Sequence, residues 1–136
     1  MPNGADAYRT ATITTADPVT LVTMLYDGAL KAVRRARIHA EDGNRAAFFD
    51  QTERANLILG ELFSALDMSQ GELPATLSGI YSYCMRLLTE ATPANTAGLD
   101  EVEQHVGRIA QSWRTMASSI STTGQPMQAA GRDNVA

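Results

Sequence analysis

The sequence is poor in the residues that disulfide-containing, metal-binding and catalytic proteins need. Its 136 residues include one cysteine, Cys84, which excludes an internal disulfide and any cysteine-rich zinc site. Neither histidine, His39 or His105, has a glutamate three residues before it, as carboxylate-bridged metal bundles require. No Gly-x-Ser-x-Gly nucleophile elbow occurs. We therefore expect no cofactor, no metal and no catalytic site, and we interpret Cys84 as a small buried core residue.

Positive charge and long apolar runs are also scarce. The net charge is −4 and the pI is about 5.0, which argues against nucleic acid as the main partner. No apolar run approaches the roughly 18 residues of a membrane span, so we expect no membrane insertion. The start, "MPNGADAYRT", has neither the basic nor the apolar region of a secretory signal. These absences predict a cytoplasmic protein.

What the sequence does contain is helical periodicity in four segments. The first begins at Asp17, whose carboxylate can cap the free N–H groups of the first turn, and Pro18 suits the first helical position. It ends near Glu41. In the other three segments, apolar or small side chains recur alternately three and four residues apart, the spacing of helices packed in a bundle. These stripes are Phe48, Thr52, Ala55, Leu59, Leu62 and Leu66; Leu73, Leu77, Ile80, Cys84, Leu87 and Ala91; and Leu99, Val102, Val106, Ile109, Trp113, Met116 and Ile120.

The connectors between these segments are short. They span residues 42–44, 68–72 and 92–96, and such connectors make neighbouring helices antiparallel. We predict an all-α protein, an antiparallel four-helix bundle over residues 17–121. It would be preceded by an extended N-terminal segment, residues 1–16, and followed by a disordered tail, residues 122–136.

The first helix has more apolar surface than one bundle interface needs. One stripe passes through Val19, Val22, Tyr26, Ala29, Val33 and Ala36, and a second through Leu21, Leu25 and Ala32. The second stripe is covered either by residues 1–16, anchored by Tyr8 and Ile13, or by an amphipathic helix of another protein. Both interpretations hold if residues 1–16 are a removable lid. Leu21, Met24 and Leu25 are then the candidates for contacting the partner.

Three other features have a structural and a functional interpretation. Gly28, in mid-helix, allows close approach of a neighbouring helix or of a partner's backbone. The basic cluster that includes Lys31 and Arg34 is interpreted as a solvated face, and an anionic docking site is the minor alternative. His105 has Arg108 one turn later, as a phosphotransfer domain would, but its place beside the apolar stripe favours packing.

Residues 8–33, "YRTATITTADPVTLVTMLYDGALKAV", resemble the N-terminal signature of the FliS family of flagellar secretion chaperones. The matching residues are Tyr8, Thr15, Ala16, Pro18, Leu21, Met24, Leu25, Tyr26, Asp27 and Gly28. "ILGELFSAL", "IYSYCMRLLTEA" and "VEQHVGRIAQSW" resemble the later helices, so the resemblance extends to about residue 117. The chain departs from the family at Val19 and Thr20, where glutamates of a capping box are common, so its helix start depends more on Asp17.

The resemblance implies an export chaperone and not an enzyme. Members of this family bind the C-terminal segment of newly made flagellin in the cytosol, prevent its premature polymerisation, and deliver it to a component of the flagellar type III export gate. The partner-binding candidates are then Tyr8, Ile13, Leu21, Met24, Leu25, Tyr26 and Gly28. The alternatives are a helical-bundle regulator that binds another protein, such as a sigma factor, and, less favoured, a His phosphotransfer domain.

Overall fold

The computed structural model describes residues 17–123 and, of these, the side chains as far as residue 119. The described residues form four helices: α1 (Pro18–Glu41), α2 (Arg45–Ser64), α3 (Glu72–Glu90) and α4 (Ala97–Thr123). Within this range there is no strand, and one isolated bridge joins Thr92 and Asn95 in the last connector. The all-α prediction is confirmed. None of the described helices has the length and hydropathy of a membrane span.

The start of α1 is built as the sequence predicts. Asp17 Oδ1 accepts a hydrogen bond from the backbone N–H of Thr20 at 2.7 Å, and Pro18 is the first helical residue. The start of α2 is capped in the same way: Asn44 Oδ1 accepts a hydrogen bond from the backbone N–H of Ala47 at 3.2 Å. These caps satisfy backbone donors that have no partner within their own helix.

The connector between α2 and α3 is longer than the sequence predicts. α2 ends at Ser64, because Asp67 organises a local turn: its Oδ1 accepts from the backbone N–H and the hydroxyl of Ser69, at 3.1 and 2.6 Å. These hydrogen bonds hold the pKa of the Asp67 carboxyl below its ordinary value. The connector then reaches Gly71, whose φ of 96° is a conformation that favours glycine.

The structure describes part of the predicted C-terminal tail but none of the predicted N-terminal segment. α4 continues to Thr123, past the predicted bundle boundary at residue 121. The predicted N-terminal segment, residues 1–16, lies outside the described residues, as do residues 124–136 of the predicted tail.

The four helices pack in the cyclic order α1, α2, α3, α4 and back to α1. Ion pairs show that α1 and α4 are antiparallel: Asp27 pairs with Arg114, whereas Arg34, further along α1, pairs with Glu103, nearer the start of α4. Hydrogen bonds from Arg34 and Arg37 lower the pKa of the Glu103 carboxyl. The described residues therefore form the predicted up-down-up-down bundle.

The core is made largely of the predicted stripes, with corrections in α3 and α4. Its fully buried side chains include Val33, Phe48, Leu59, Tyr81, Cys84, Leu88, Leu99, Val102 and Val106. Burial raises the pKa of the Cys84 thiol to about 11, so this cysteine is an unreactive core residue as predicted. In α3, Tyr81 and Leu88 are fully buried, whereas the predicted Ile80 and Leu87 are only partly buried. In α4, the predicted Met116 is 39% exposed. The prediction was also wrong for Leu73. It lies in the first turn of α3 with 67% of its surface exposed, and Pro74 is buried instead.

Candidate functional site: the apolar end of the bundle

Large apolar side chains are exposed mainly at one end of the bundle. Because the helices alternate in direction, α1 and α3 begin at the same end at which α2 and α4 finish. Of the eight large apolar residues that are exposed among the described side chains, five lie towards this end. They are Met24, Phe63, Met68, Leu73 and Met116. With the half-buried Leu21 they are called the apolar end below.

This grouping matters more than the exposure of any one residue. Single apolar side chains are common on protein surfaces and need no explanation, whereas several at one place mark an interaction site. Met68 and Leu73 are among the most exposed of the set. Three of the six residues are methionines, whose flexible thioether side chains adapt to differently shaped partners. The arrangement is suited to binding the apolar face of another helix.

The three α1 residues predicted to contact a partner differ in their surroundings. Met24 is 40% exposed. Leu25 is half-buried and packs against the buried core, so it already has a role in the bundle. Leu21 is half-buried but is not among the side chains packed on that core. Of these three residues, Leu21 and Met24 are thus more available to a partner than Leu25.

Tyr26 lies inside the bundle. It is 4% exposed, and its hydroxyl is 2.7 Å from the hydroxyl of Tyr81 in α3, a buried hydrogen bond. Burial raises the pKa of both phenols. The indole of Trp113 lies 6.2 Å from the Tyr26 ring, and its Nε1 donates to Thr23 Oγ1 at 2.8 Å. Tyr26 therefore joins α1 to α3 and α4 beneath the apolar end.

Gly28 faces α2. A Cβ atom at this position would lie 3.2 Å from Ile58 Cδ1, closer than most side-chain contacts. In this structure the glycine therefore accommodates a neighbouring helix, the structural interpretation of the two given above. The remaining two predicted contact residues, Tyr8 and Ile13, lie outside the described residues.

The Tyr26–Tyr81 pair gives a stability prediction. Tyr81→Phe should lower the free energy of unfolding by about 1–3 kcal/mol, because it leaves the buried Tyr26 hydroxyl without its partner. The double variant Tyr26→Phe, Tyr81→Phe should lose less than the sum of the two single variants, since neither buried hydroxyl remains. Urea unfolding of the four proteins measures the coupling, and strictly additive losses would contradict the hydrogen bond.

Sequence reasoning missed Phe63, Met68, Leu73 and Met116 as site residues. Leu73 fits the apolar stripe of α3 by spacing, but in the structure it lies in the first turn of the helix with 67% of its surface exposed. Phe63 stands beside the buried Leu62, off the α2 stripe, and this break in the pattern is the signal that could have identified it. Met68 lies in the connector between α2 and α3, where no helical periodicity predicts which side chains are exposed.

The described residues do not form a metal site, and His105 has a packing role. Among residues 17–123 no cluster of three or more His, Cys, Asp or Glu side chains could hold a metal ion. His105 is half-buried, with its ring 5.9 Å from that of Tyr83 in an edge-to-face contact. This is the packing position that the sequence favoured over phosphotransfer.

A family model described as "Flagellar protein FliS" matches residues 1–120. The chain belongs to the FliS family. It is 35% identical to the flagellar secretion chaperone FliS of Salmonella typhimurium over 112 residues, which are 80% of this chain and 83% of the relative. The chaperones of the same name from Escherichia coli and Bacillus subtilis are 36% and 32% identical, over 79% and 86% of this chain and 81% and 88% of their own.

Membership of the FliS family confirms the resemblance seen in the sequence. FliS proteins are non-enzymatic chaperones, which confirms the expectation that this chain is not an enzyme. In this member of the family, most of the exposed large apolar side chains among the described residues lie towards the end of the bundle where α1 begins.

Proposed function

We propose that this chain is a cytosolic export chaperone for flagellin. It binds the C-terminal segment of flagellin, prevents its premature polymerisation, and delivers it to the flagellar type III export apparatus through a component of the export gate. The observation that carries this proposal is the apolar end, a group of exposed apolar side chains on a bundle of the FliS family.

The energetics of the client explain why such a surface is needed. The C-terminal segment of flagellin forms amphipathic helices that pair in the filament, so the free segment exposes apolar faces. Ordering a disordered segment on a partner costs about 2–5 kcal/mol or more, and apolar burial has to offset that cost. The side chains of the apolar end supply this burial, at about 25 cal/mol for each Å² removed from water. Covering the same faces also removes the contacts that start a filament.

Residues 1–16 act as a lid in this proposal. They join the bundle at Asp17, directly at the apolar end, and they contain Tyr8 and Ile13 as large apolar anchors. A lid of this kind covers apolar surface while no client is present, which keeps the chaperone from aggregating. Flagellin then replaces the lid, and the chain avoids exposing the whole surface to water at any stage.

A seeded polymerisation assay tests the proposal. An equimolar amount of this chain should strongly slow the growth of filaments from flagellin monomers and seeds, because the C-terminal segment is covered. The double variant Leu21→Ala, Met24→Ala should slow growth less at the same concentration. Unchanged growth in the presence of a fully helical sample of the unmodified chain would refute the proposal.

A further inference from the structure

An open cleft of about 620 Å³ lies between α1 and α4, apart from the apolar end. Its lining includes the buried Leu30 of α1 and Gly107 of α4. A Cβ atom at Gly107 would meet nothing within 4 Å, so the space above this residue is open. The cleft is therefore an open groove along the line where α1 and α4 meet, and a segment of another chain can reach it from solvent.

The charge of the cleft is opposite to that of the whole chain. Four cationic side chains line it, Lys31 and Arg34 on α1 and Arg108 and Arg114 on α4, against one carboxylate, Asp27. The chain as a whole carries a net charge of −4. A concentration of positive charge in a concave site of an acidic protein attracts anionic groups.

The cations of the cleft are available to a ligand. Among the described side chains, no carboxylate pairs with Lys31 or Arg108. Arg114 pairs with Asp27, but both side chains are about half exposed, at 49% and 54%, so the pair contributes little and can exchange partners. Arg34 is held by Glu103 at 2.9 Å. Lys31 and Arg108 are therefore free to bind an anionic group, and Arg114 can exchange Asp27 for one.

We propose that this cleft docks an acidic segment of a partner protein, with carboxylates spaced three and four residues apart on a helix. Arg108 and Arg114 are separated by about 9 Å along α4, and Lys31 lies on the opposite wall. One small anion reaches only part of this array, whereas a row of carboxylates reaches all of it. Arginine guanidinium groups also bind carboxylates through paired hydrogen bonds.

Nucleic acid is the competing polyanion, and the chain's charge disfavours it. The net charge of −4 repels a long phosphate backbone outside the cleft, while a short acidic segment interacts with the cleft alone. The proposal does not depend on flagellin binding, because no residue that lines the cleft belongs to the apolar end. The structure thus assigns two separate surfaces, one apolar and one basic.

The test uses the full chain and a fluorescent Glu-rich helical peptide of about four turns as the probe. Anisotropy should show binding at low salt that weakens as salt is added. The double variant Lys31→Glu, Arg108→Glu should weaken binding at least about tenfold, because attraction becomes repulsion on both walls. Arg35→Glu is the matched control. It makes the same charge change as Lys31→Glu alone, at an exposed α1 position outside the cleft, and should change affinity less than about twofold, whereas Lys31→Glu alone should weaken binding more.

Two results would overturn the proposal. The first is equal binding of the peptide by the double variant and the unmodified chain. The second is competition by inorganic phosphate or an oligonucleotide of equal charge as strong as that of the unlabelled peptide, since this would show a general anion site. If charge reversal lowers the thermal midpoint, Lys31→Gln with Arg108→Gln should still weaken binding. Retained binding of the flagellin C-terminal segment by the double variant separates this test from that of the proposed function.

Discussion

Leu59→Ala should lower the free energy of unfolding by about 2–5 kcal/mol, because it removes a fully buried side chain and leaves a cavity in the core. Leu57→Ala, two residues away on α2, makes the same chemical change at a side chain that is 65% exposed. It should change the free energy of unfolding by less than about 0.5 kcal/mol. Urea unfolding followed by far-UV circular dichroism measures both.

This pair of variants tests the orientation of α2 within the bundle. A helix rotated about its own axis would bury Leu57 and expose Leu59, and the two effects would then be exchanged. Similar losses in both variants would contradict the packing described for α2. The comparison is internal to one helix, so differences in helix propensity between the two substitutions cancel.

Leu21→Ala and Met24→Ala should each reduce the affinity for the flagellin C-terminal segment at least about tenfold, because a hydrophobic anchor in an interface contributes more than about 1.4 kcal/mol. Neither should shift the unfolding midpoint much, since Met24 is exposed and Leu21 does not pack on the buried core. Titration calorimetry gives the affinity, and thermal unfolding gives the midpoint.

Leu62→Ala is the control for this binding prediction. Leu62 is buried, so its loss should destabilise the bundle whether or not flagellin is present. If Leu21→Ala and Met24→Ala unfold the protein as Leu62→Ala does, these side chains belong to the core. If they leave affinity untouched, flagellin contacts other residues, and Phe63 and Leu73 become the next candidates at the apolar end.

The helices could be predicted from the sequence because their signals are local. Asp17 and Pro18 mark the start of α1 within consecutive residues, and the stripes of α2 and α4 repeat every three or four positions. Short connectors then leave few arrangements for four such helices. The helices and their apolar faces follow from signals that span a few residues, which is why periodicity identifies them.

The candidate sites are less predictable from the sequence than the helices, because they depend on contacts between residues that are far apart in the chain. Tyr26 and Tyr81 are separated by 55 positions, so no local pattern shows that one hydroxyl bonds the other. The basic residues of α1 were interpreted as a solvated face, since the sequence cannot show that Arg108 and Arg114 face them across a cleft. Leu73 has the spacing of a core residue, and only the packing of α3 in the bundle shows that it is exposed.

The partner was predictable only through the resemblance. Amphipathic helices and surplus apolar surface predict that some helix is bound, and the Met-Leu-Tyr-Asp-Gly stretch at residues 24–28 connects that surface to flagellar chaperones. The chain belongs to the FliS family, and flagellin as its client is a proposal that rests on this membership. The physics of the apolar end applies to any amphipathic client, so the client has to be tested directly.

The most direct test is a calorimetric titration of the unmodified chain with the flagellin C-terminal segment, with the N-terminal segment of the same flagellin as the control. We predict saturable binding of the C-terminal segment with a negative heat-capacity change, the signature of apolar burial coupled to ordering. The N-terminal segment should give no comparable heat. Absence of binding by the C-terminal segment, or equal binding of both segments, would contradict the proposal that this chain is a flagellin export chaperone.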